Sequence, residues 1–147
     1  MPFASGQKLN AARLNALQPT TYEAAASGTL TLGTSLTDVP GASVTLTSLT
    51  AGAIYIATAV FDMNITTAAA GQLVEGHLDV DGADQAARAL KQMGAVDRAT
   101  VGQEWRGALT AAGSHTLKLR GLKNGASGVA TIVTIHTKLQ VTIYEVV

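Results

Sequence analysis

The chain has 147 residues, with ten lysines and arginines, ten aspartates and glutamates, and no cysteine. The length fits one compact domain, and the lack of cysteine excludes disulfides, thiolate metal sites and a cysteine nucleophile. Because the formal net charge is zero and basic residues do not cluster, no phosphate-attracting field is expected, and we predict no nucleic-acid partner.

Charged residues are sparse, at 14 % of the chain against a usual level of about 25 %. Net charge and interspersed charges normally keep a small domain soluble and monomeric. We therefore expect copies of the chain to cover much of one another's surface.

No segment approaches the roughly 18 consecutive apolar residues of a membrane span. The first residues also lack the basic segment followed by a long apolar run that marks a signal peptide. We expect neither membrane insertion nor secretion by a signal peptide.

The first predicted element is a short helix near the N-terminus. Asn10 is a favourable N-cap, and Leu9 can pack on Leu14 as a hydrophobic staple. Leu14 and Leu17 share a face, and Pro19 ends the helix. The apolar residues of this segment are the predicted anchor to a partner: Phe3, Leu9, Leu14 and Leu17.

Isolated helices below about 12 residues are marginal in water, so this helix needs a surface to lie on. That surface is either the open end of the chain's own sheets or another protein, and periodicity alone does not separate the two. We predict an arm over residues 1–27, with an Ala- and Ser-rich hinge at residues 23–28, and a β-sandwich over residues 28–147.

From Gly28 onward the apolar residues alternate with period two, as in half-buried strands. The longest strand candidate covers residues 53–65 and is apolar on both faces. A strand of this kind either has the sandwich core on one side and a subunit contact on the other, or is enclosed between neighbouring subunits. One face carries Tyr55, Phe61, Met63 and Ile65, and the other carries Ile54, Ile56 and Val60.

Two hairpins are predicted from dipeptides that accept positive φ, Asp81-Gly82 and Asn124-Gly125. Between them the sequence predicts returning strands over residues 83–93 and 98–110. Glu75, His77 and Asp79 are expected to point outward from the strand that precedes the first hairpin.

Eight to ten strands joined by short turns, without intervening helices, exclude parallel crossovers. The predicted fold is all-β, an antiparallel two-sheet jelly-roll sandwich with a short N-terminal helical arm. An immunoglobulin-like sandwich is the alternative, weakened by the strand number and by the missing cysteine pair.

The large aromatic residues are the candidates for subunit contacts, although each could equally be a core residue. Four arginines are expected to form polar pairs between subunits: Arg88, Arg98, Arg106 and Arg120. The candidate interface residues are Tyr55, Phe61, Trp105 and Tyr144.

No catalytic, metal-binding or cofactor-binding residues are predicted, and the chain is not expected to be an enzyme. The histidines fall on three strands, and residues 79–84 lack the bidentate glutamate of a calcium loop. Ser114 and His115 are adjacent and point to opposite faces of a strand. Glu75 and Glu104 are the remaining acid pair, with nothing in the sequence to fix their separation.

Residues 3–17 resemble the opening of many structural proteins of tailed bacteriophages, especially those of actinobacterial hosts. Residues 78–82, Trp105, residues 112–119 and residues 139–145 are similar to phage jelly-roll modules related in shape to tumour-necrosis-factor-like trimers. These motifs are structural, and none is a catalytic signature.

The resemblance implies a virion protein made in the host bacterial cytoplasm and carried on the particle surface. It implies a homotrimer, but it does not separate a capsid protein from a tail protein. From the low charge, the strand that is apolar on both faces and the stapled arm, we predict a decoration of the capsid exterior, with the major capsid protein or another virion protein as partner of the arm. The alternative is a tail fibre or minor tail protein, because the same modules occur in both places. In that case polar turn residues around Asp81, Asn124 and residues 94–98 are the predicted contacts with host-surface glycans.

Overall fold

The computed structural model describes residues 11–16 and 18–146. Within them, one short helix precedes ten strands. They are α1 (Ala11–Ala16), β1 (Thr20–Ala25), β2 (Leu30–Thr31), β3 (Thr37–Ser48), β4 (Ile54–Thr67), β5 (Leu73–Val80), β6 (Ala83–Asp84), β7 (Ala89–Gln92), β8 (Asp97–Ala108), β9 (Gly113–Lys123) and β10 (Val129–Tyr144).

The strands form two antiparallel sheets that pack face to face. Sheet A has the order β1-β10-β4-β8, with β2 also paired to β10, and sheet B has the order β3-β9-β5-β6, with β7 also paired to β5. Successive long strands alternate between the sheets, which is the connectivity of a jelly roll. The predicted all-β, two-sheet jelly-roll sandwich is confirmed.

Alternation along β4 places its aromatic side in the core, as predicted. Tyr55, Phe61, Met63 and Ile65 are at most 2 % exposed, whereas Ile54, Ile56 and Val60 are half-buried on the opposite side. Strands β5, β9 and β10 supply the facing apolar residues. The core therefore fills the space between the two sheets, and β4 also leaves an apolar row on the outside of sheet A.

Phe61 is fully buried and lies directly over Gly76 of β5. A Cβ atom at position 76 would be 2.8 Å from three carbons of the Phe61 ring. The indole of Trp105 meets the same ring edge-on, with centroids 6.4 Å apart and planes at 74°. Glycine at position 76 is thus required for the aromatic pair to fit between the sheets.

The Asp81-Gly82 hairpin is confirmed. Asp81 has φ 53° and Gly82 has φ 88°, and Val80 pairs with Ala83 across the turn. Positive φ at both central positions is the type I′ geometry that the twist of a two-residue hairpin favours.

The second predicted hairpin, at Asn124-Gly125, is wrong. Strand β9 belongs to sheet B and β10 to sheet A, so the connection crosses between sheets instead of pairing its flanks. The Asn124 side chain accepts a hydrogen bond from the Leu73 backbone amide at 2.7 Å. The buried Lys123 ammonium donates to three successive carbonyls, those of Ala126, Ser127 and Gly128. These tertiary contacts shape the loop, and a local dipeptide rule could not anticipate them.

The predicted strand over residues 83–93 is also wrong in part. Only Ala83–Asp84 and Ala89–Gln92 pair with β5, and the residues between them leave the sheet. The Tyr55 hydroxyl donates to Gln85, and the Trp105 indole donates to the Ala87 carbonyl at 2.7 Å. Residues 85–88 therefore bridge the edges of the two sheets and satisfy the polar atoms of two core aromatics.

The predicted boundary at residues 27 and 28 is wrong, because β1 pairs along its whole length with β10, from Thr20 opposite Ile143 to Ala25 opposite Lys138. The sandwich begins at Thr20. Within the described residues of the predicted arm there is one six-residue helix, and from Thr20 the chain is strand. The fold is all-β, and the predicted helical arm is not seen as a separate unit over residues 1–27.

Of the predicted anchor residues, Leu14 is described and is 51 % exposed. Phe3, Leu9 and Leu17 lie outside the described residues. Among the residues that the structure describes, no helix has the length and apolar character needed to cross a membrane.

Candidate functional site

Three of the four predicted interface aromatics are core residues. Tyr55, Phe61 and Trp105 are 2 %, 0 % and 5 % exposed within a single chain, so they face the opposite sheet and offer nothing to a neighbour. Burial also raises the pKa of the Tyr55 phenol. Tyr144 is the exception, 40 % exposed at the end of β10. The prediction failed for the three because a large aromatic is equally typical of a core and of an interface.

The outer surface of sheet A carries an apolar row on its central strand. We call four apolar residues on this surface the sheet A face: Ile54, Ile56 and Val60 of β4, with Tyr144 of β10. The exposed Thr58 lies between Ile56 and Val60. Ile54 pairs with Tyr144, and Ile56 lies between Thr142 of β10 and Arg106 of β8. A half-buried aliphatic row flanked by polar neighbours is typical of a protein–protein contact surface.

A bulge in β10 rises from one end of the sheet A face. The register passes from Val133 opposite Asp62 to Lys138 opposite Val60, which leaves extra residues in β10. The buried Thr137 hydroxyl donates to the Val133 carbonyl at 2.6 Å and accepts from the Asp62 amide at 3.0 Å. This hydroxyl replaces the missing ladder bonds, so the bulge is a stable feature that exposes Ile135 by 71 %.

A bidentate ion pair lies beneath the bulge. The Arg98 guanidinium donates to both oxygens of Asp62 at 2.8 and 2.6 Å, and the Asp62 carboxylate is buried. The hydrogen bond from Arg98 lowers the pKa of Asp62 despite the opposing effect of burial, and it raises the pKa of Arg98. This pair is intrachain, not between subunits as predicted for Arg98, and so are those of Arg88 with Glu75 and Arg120 with Asp79.

Shallow depressions run along the sheet A face between β1 and the bulge. One has a volume of about 350 Å³ and is lined by Glu23, Thr58, Val60 and Gln140 among others. A second, of about 370 Å³, shares Val60 and extends to Ile135. They are open to the surface and shallow, which suits protruding side chains of a protein neighbour more than an enclosed small molecule.

Charged groups of both signs border the sheet A face. Within residues 11–16 and 18–146, Glu104, Arg106 and Lys138 form no ion pair. The face therefore carries its own free acid and free bases, and it is electrostatically able to meet a second copy of itself.

The outer surface of sheet B is different, because its charges are already paired. Glu75, His77 and Asp79 point outward as predicted, yet all are buried by neighbouring side chains. His77 Nδ1 lies 3.0 Å from Asp84 and its Nε2 lies 3.3 Å from Glu75. Asp38 accepts from Lys118, and this hydrogen bond is the main cause of its lowered pKa. This surface is internally neutralised and offers few free groups to a partner.

The Asp81-Gly82 turn is held by a second internal pair. His115 Nδ1 lies 2.6 Å from Asp81, whose other oxygen accepts from the Thr116 amide at 2.8 Å. The hydrogen bond to Asp81 raises the pKa of His115. Burial would raise the pKa of Asp81, but the hydrogen bonds from His115 and Thr116 together lower it.

The arrangement of the acids and histidines gives no support to hydrolytic chemistry. Glu75 is on the outer surface of sheet B and Glu104 on that of sheet A, so the whole sandwich lies between the two carboxylates. Ser114 is exposed while His115 is buried, on opposite sides of β9. In the described part of the chain, no group of three or more histidine or carboxylate side chains is arranged so that it could hold a metal ion.

The bulge and the Asp62–Arg98 pair are the site features that sequence reasoning missed. A signal for the bulge was present, because the inward residues change phase within β10. Ala130 and Ile132 are inward at even positions, and Leu139, Val141 and Ile143 are inward at odd positions. A phase change of this kind requires extra residues between the two halves of a strand.

Searches by sequence found no matching family model and no matching curated protein. Solved structures with the same fold were found. Eiger TNF from S. frugiperda superposes with a TM-score of 0.52 at 8 % identity, covering 84 % of this chain and 91 % of that one. Murine APRIL gives 0.47 at 10 % identity, with coverage of 85 % and 98 %.

A subviral particle of infectious bursal disease virus VP2 gives a TM-score of 0.46 at 15 % identity, over 88 % of this chain and 38 % of that one. At these identities a likeness shows the fold alone. The chain is a jelly roll similar in fold to that of Eiger TNF.

Proposed function

We propose that this chain is a structural protein of a tailed bacteriophage particle. In this proposal three copies associate through the sheet A face, and the N-terminal arm fixes the trimer to the outside of the capsid. The chain performs no catalysis; its role is to form part of the particle surface.

The observation that carries the proposal is the sheet A face itself. Strand β4 lies inside the sheet, with a packed core on one side and Ile54, Ile56 and Val60 on the other, and this outer row is only half-buried within one chain. Burying such a row stabilises an assembly by about 25 cal/mol per Å² of apolar surface. The free charges of Glu104, Arg106 and Lys138 border the row and can pair between copies.

The polar loops support a display role over glycan recognition. Asp81 is bound by His115, Asn124 by the Leu73 amide, and Arg98 by Asp62. These groups were the predicted glycan contacts of a tail fibre, and each already has an internal partner. Residues 94–98 also lie at the opposite end of the sandwich from Asp81. These two groups of loop residues therefore do not form one surface.

The proposal is tested by the mass of the protein in solution, measured by light scattering. We expect three times the chain mass for the native protein and one chain mass for Ile56→Glu. The new carboxylate lies opposite Arg106 in the free chain, so folding is retained, whereas between copies it is buried among apolar groups. Thr45→Glu, on the exposed side of β3 in sheet B, is the matched control and is expected to remain trimeric.

The location is tested by mass spectrometry of purified phage particles. Finding the chain on capsids stripped of their tails is the expected result. A native protein that is monomeric at high concentration overturns the trimer, and a chain found only in tail fractions overturns capsid decoration in favour of a tail role.

A further inference from the structure

The arm leaves the sandwich at one defined end. Helix α1 ends at Ala16 and β1 begins at Thr20, opposite Ile143 of β10. The four residue steps from Ala16 to Thr20 span at most about 14 Å. A partner that holds the arm at Leu14 must therefore lie close to the end of the sandwich where β10 finishes.

Two other apolar side chains are exposed at this same end. Leu49, in the connection from β3 to β4, is 64 % exposed, and Val146, just beyond β10, is 47 % exposed. Both connections lie at this end because Ser48 pairs with Gly113 and Ile54 with Tyr144. Ala51, two residues after Leu49 in the same connection, is also exposed. We call Leu49, Ala51 and Val146 the end patch.

The end patch is held in place by Glu145. Its carboxylate accepts from the Leu49 amide at 2.8 Å, from the Thr50 amide at 3.1 Å and from the Thr50 hydroxyl at 2.9 Å. The C-terminal segment and the loop are thereby joined, and Val146 lies over Gly52. A preorganised apolar contact binds with less loss of conformational entropy than a loose one.

Two carboxylates close to the end patch are used internally, and Arg106, which forms no ion pair within the described residues, faces outward from sheet A. Both Glu145 oxygens accept hydrogen bonds, and Asp81 is bound by His115 and Thr116. The end therefore presents apolar side chains with little free charge, which matches a neutral, apolar protein surface.

We propose that the end patch is a second contact with the same particle protein that receives the arm. This inference rests on the proposed function, since it requires such a protein to exist. The arm and the patch bind one neutral, apolar surface at two adjacent points. Linked contacts of this kind raise the overall affinity because the second binding step is intramolecular.

The described part of the arm does not cover the patch. Leu14 is 51 % exposed while Leu49 and Val146 are also exposed, so neither surface is buried by the other. Second copies of the chain are assigned to the sheet A face, on the side of the sandwich. The particle protein that receives the arm therefore lies at the end of the sandwich that carries the end patch, where it contacts both the arm and the patch.

The absence of cysteine makes a site-specific cross-link straightforward. Leu49→Cys is labelled with a benzophenone maleimide, added to capsids assembled without this chain, irradiated and analysed by mass spectrometry. Val96→Cys, 66 % exposed on the opposite end, is the matched control. We expect position 49 to cross-link to a capsid protein and position 96 to give no such product.

Cross-links from position 49 to residues 1–17 of this chain, or to a second copy of it, overturn the inference. The same holds if positions 49 and 96 label the capsid equally. The native chain is tested for capsid binding first. If it does not bind, the proposed function itself fails; if it binds and position 49 finds no capsid protein, the end patch alone is wrong.

Loss of affinity gives an independent readout. Leu49→Ser with Val146→Ser is expected to weaken capsid binding about tenfold, which corresponds to roughly 1.4 kcal/mol. Val96→Ser with Val129→Ser removes two exposed apolar residues from the opposite end and is expected to leave binding unchanged. Unaltered binding by the first pair contradicts the proposal.

Discussion

Gly76 and Phe61 show how single residues set the spacing of the two sheets. The ring of Phe61 occupies the volume that any side chain at position 76 would enter. The Trp105 indole packs against the same ring in an edge-to-face arrangement. The alternation of β5 places Gly76 inward, between the outward Glu75 and His77. Only the tertiary contact with Phe61 explains why this position has no side chain.

Gly76→Ala is expected to destabilise the fold by about 1–3 kcal/mol, because the fully buried ring cannot move away from the added carbon. Urea denaturation measures the loss. Gly94→Ala, where a Cβ would meet nothing within 4 Å, is the control and should stay within about 0.5 kcal/mol of the native protein. Combining Gly76→Ala with Phe61→Leu should restore part of the loss, and equal effects of the two alanine variants would refute this account.

His115 gives the fold a predictable dependence on pH. Its pKa is raised in the folded state by the hydrogen bond to Asp81, so the folded protein holds this proton more tightly than the unfolded chain. The contribution to stability is full below the ordinary histidine pKa of about 6.5 and is lost as pH rises through the folded value. The lowered pKa of Asp81 acts oppositely in the acid range, where its contribution is lost as pH falls.

We expect the urea midpoint of the native protein to fall between pH 6 and pH 8.5 more steeply than that of His115→Gln. Glutamine retains a hydrogen-bond donor but cannot titrate. Identical slopes for the two proteins would show that the His115–Asp81 pair does not couple folding to pH in this range.

At the scale of elements, β10 decides the shape of the outer surface of sheet A. It pairs with β1, β2 and β4, and its bulge between Val133 and Lys138 raises Ile135 above the sheet. The same bulge lies over the Asp62–Arg98 pair. One irregular strand therefore produces both the depression beside the sheet A face and the protruding side chain of Ile135.

Thr137→Val removes the hydroxyl that joins the two halves of the bulge while keeping the side-chain volume. We expect a loss of about 1–3 kcal/mol, because the Asp62 amide and the Val133 carbonyl lose a buried partner. Hydrogen exchange at the Asp62 amide should accelerate along with the fall in stability. Thr45→Val, at an exposed site on β3, should change neither quantity, and a stable Thr137→Val protein would contradict the role of the hydroxyl.

At the scale of the whole molecule, the sandwich is complete from Thr20 onward. Every strand of the described chain lies between Thr20 and Tyr144, and the core is formed by the facing sides of the two sheets. The arm precedes this unit and leaves it at the end that carries Leu49 and Val146. We therefore expect folding to depend on residues 20–144, and the proposed attachment to depend on the arm together with the end patch.

Deletion of residues 1–19 is expected to leave the unfolding temperature and the solution mass per assembly nearly unchanged, while binding to capsids is lost. Differential scanning calorimetry, light scattering and capsid sedimentation measure the three properties. Deletion of residues 1–25, which removes β1 from sheet A, should by contrast destabilise the fold. A large fall in stability on removing residues 1–19 alone would assign the arm to the core.

The sequence by itself determined the fold class, the two-faced strand β4 and the Asp81-Gly82 hairpin. Each depends on local periodicity or on backbone dihedrals, which neighbouring residues specify. The placement of Phe61 and Ile56 on opposite sides of β4 follows from the same alternation.

Only the tertiary structure decided which aromatics are core, where the sandwich begins and how residues 124–128 cross between sheets. It also decided the sheet A face and the end patch, because these depend on which strands become neighbours. Trp105 stands between two charged residues and nevertheless packs inward on Phe61, whereas Tyr144 follows the buried Ile143 and is turned outward. Contacts between residues far apart in the chain fix such choices, and a single sequence read locally does not contain them.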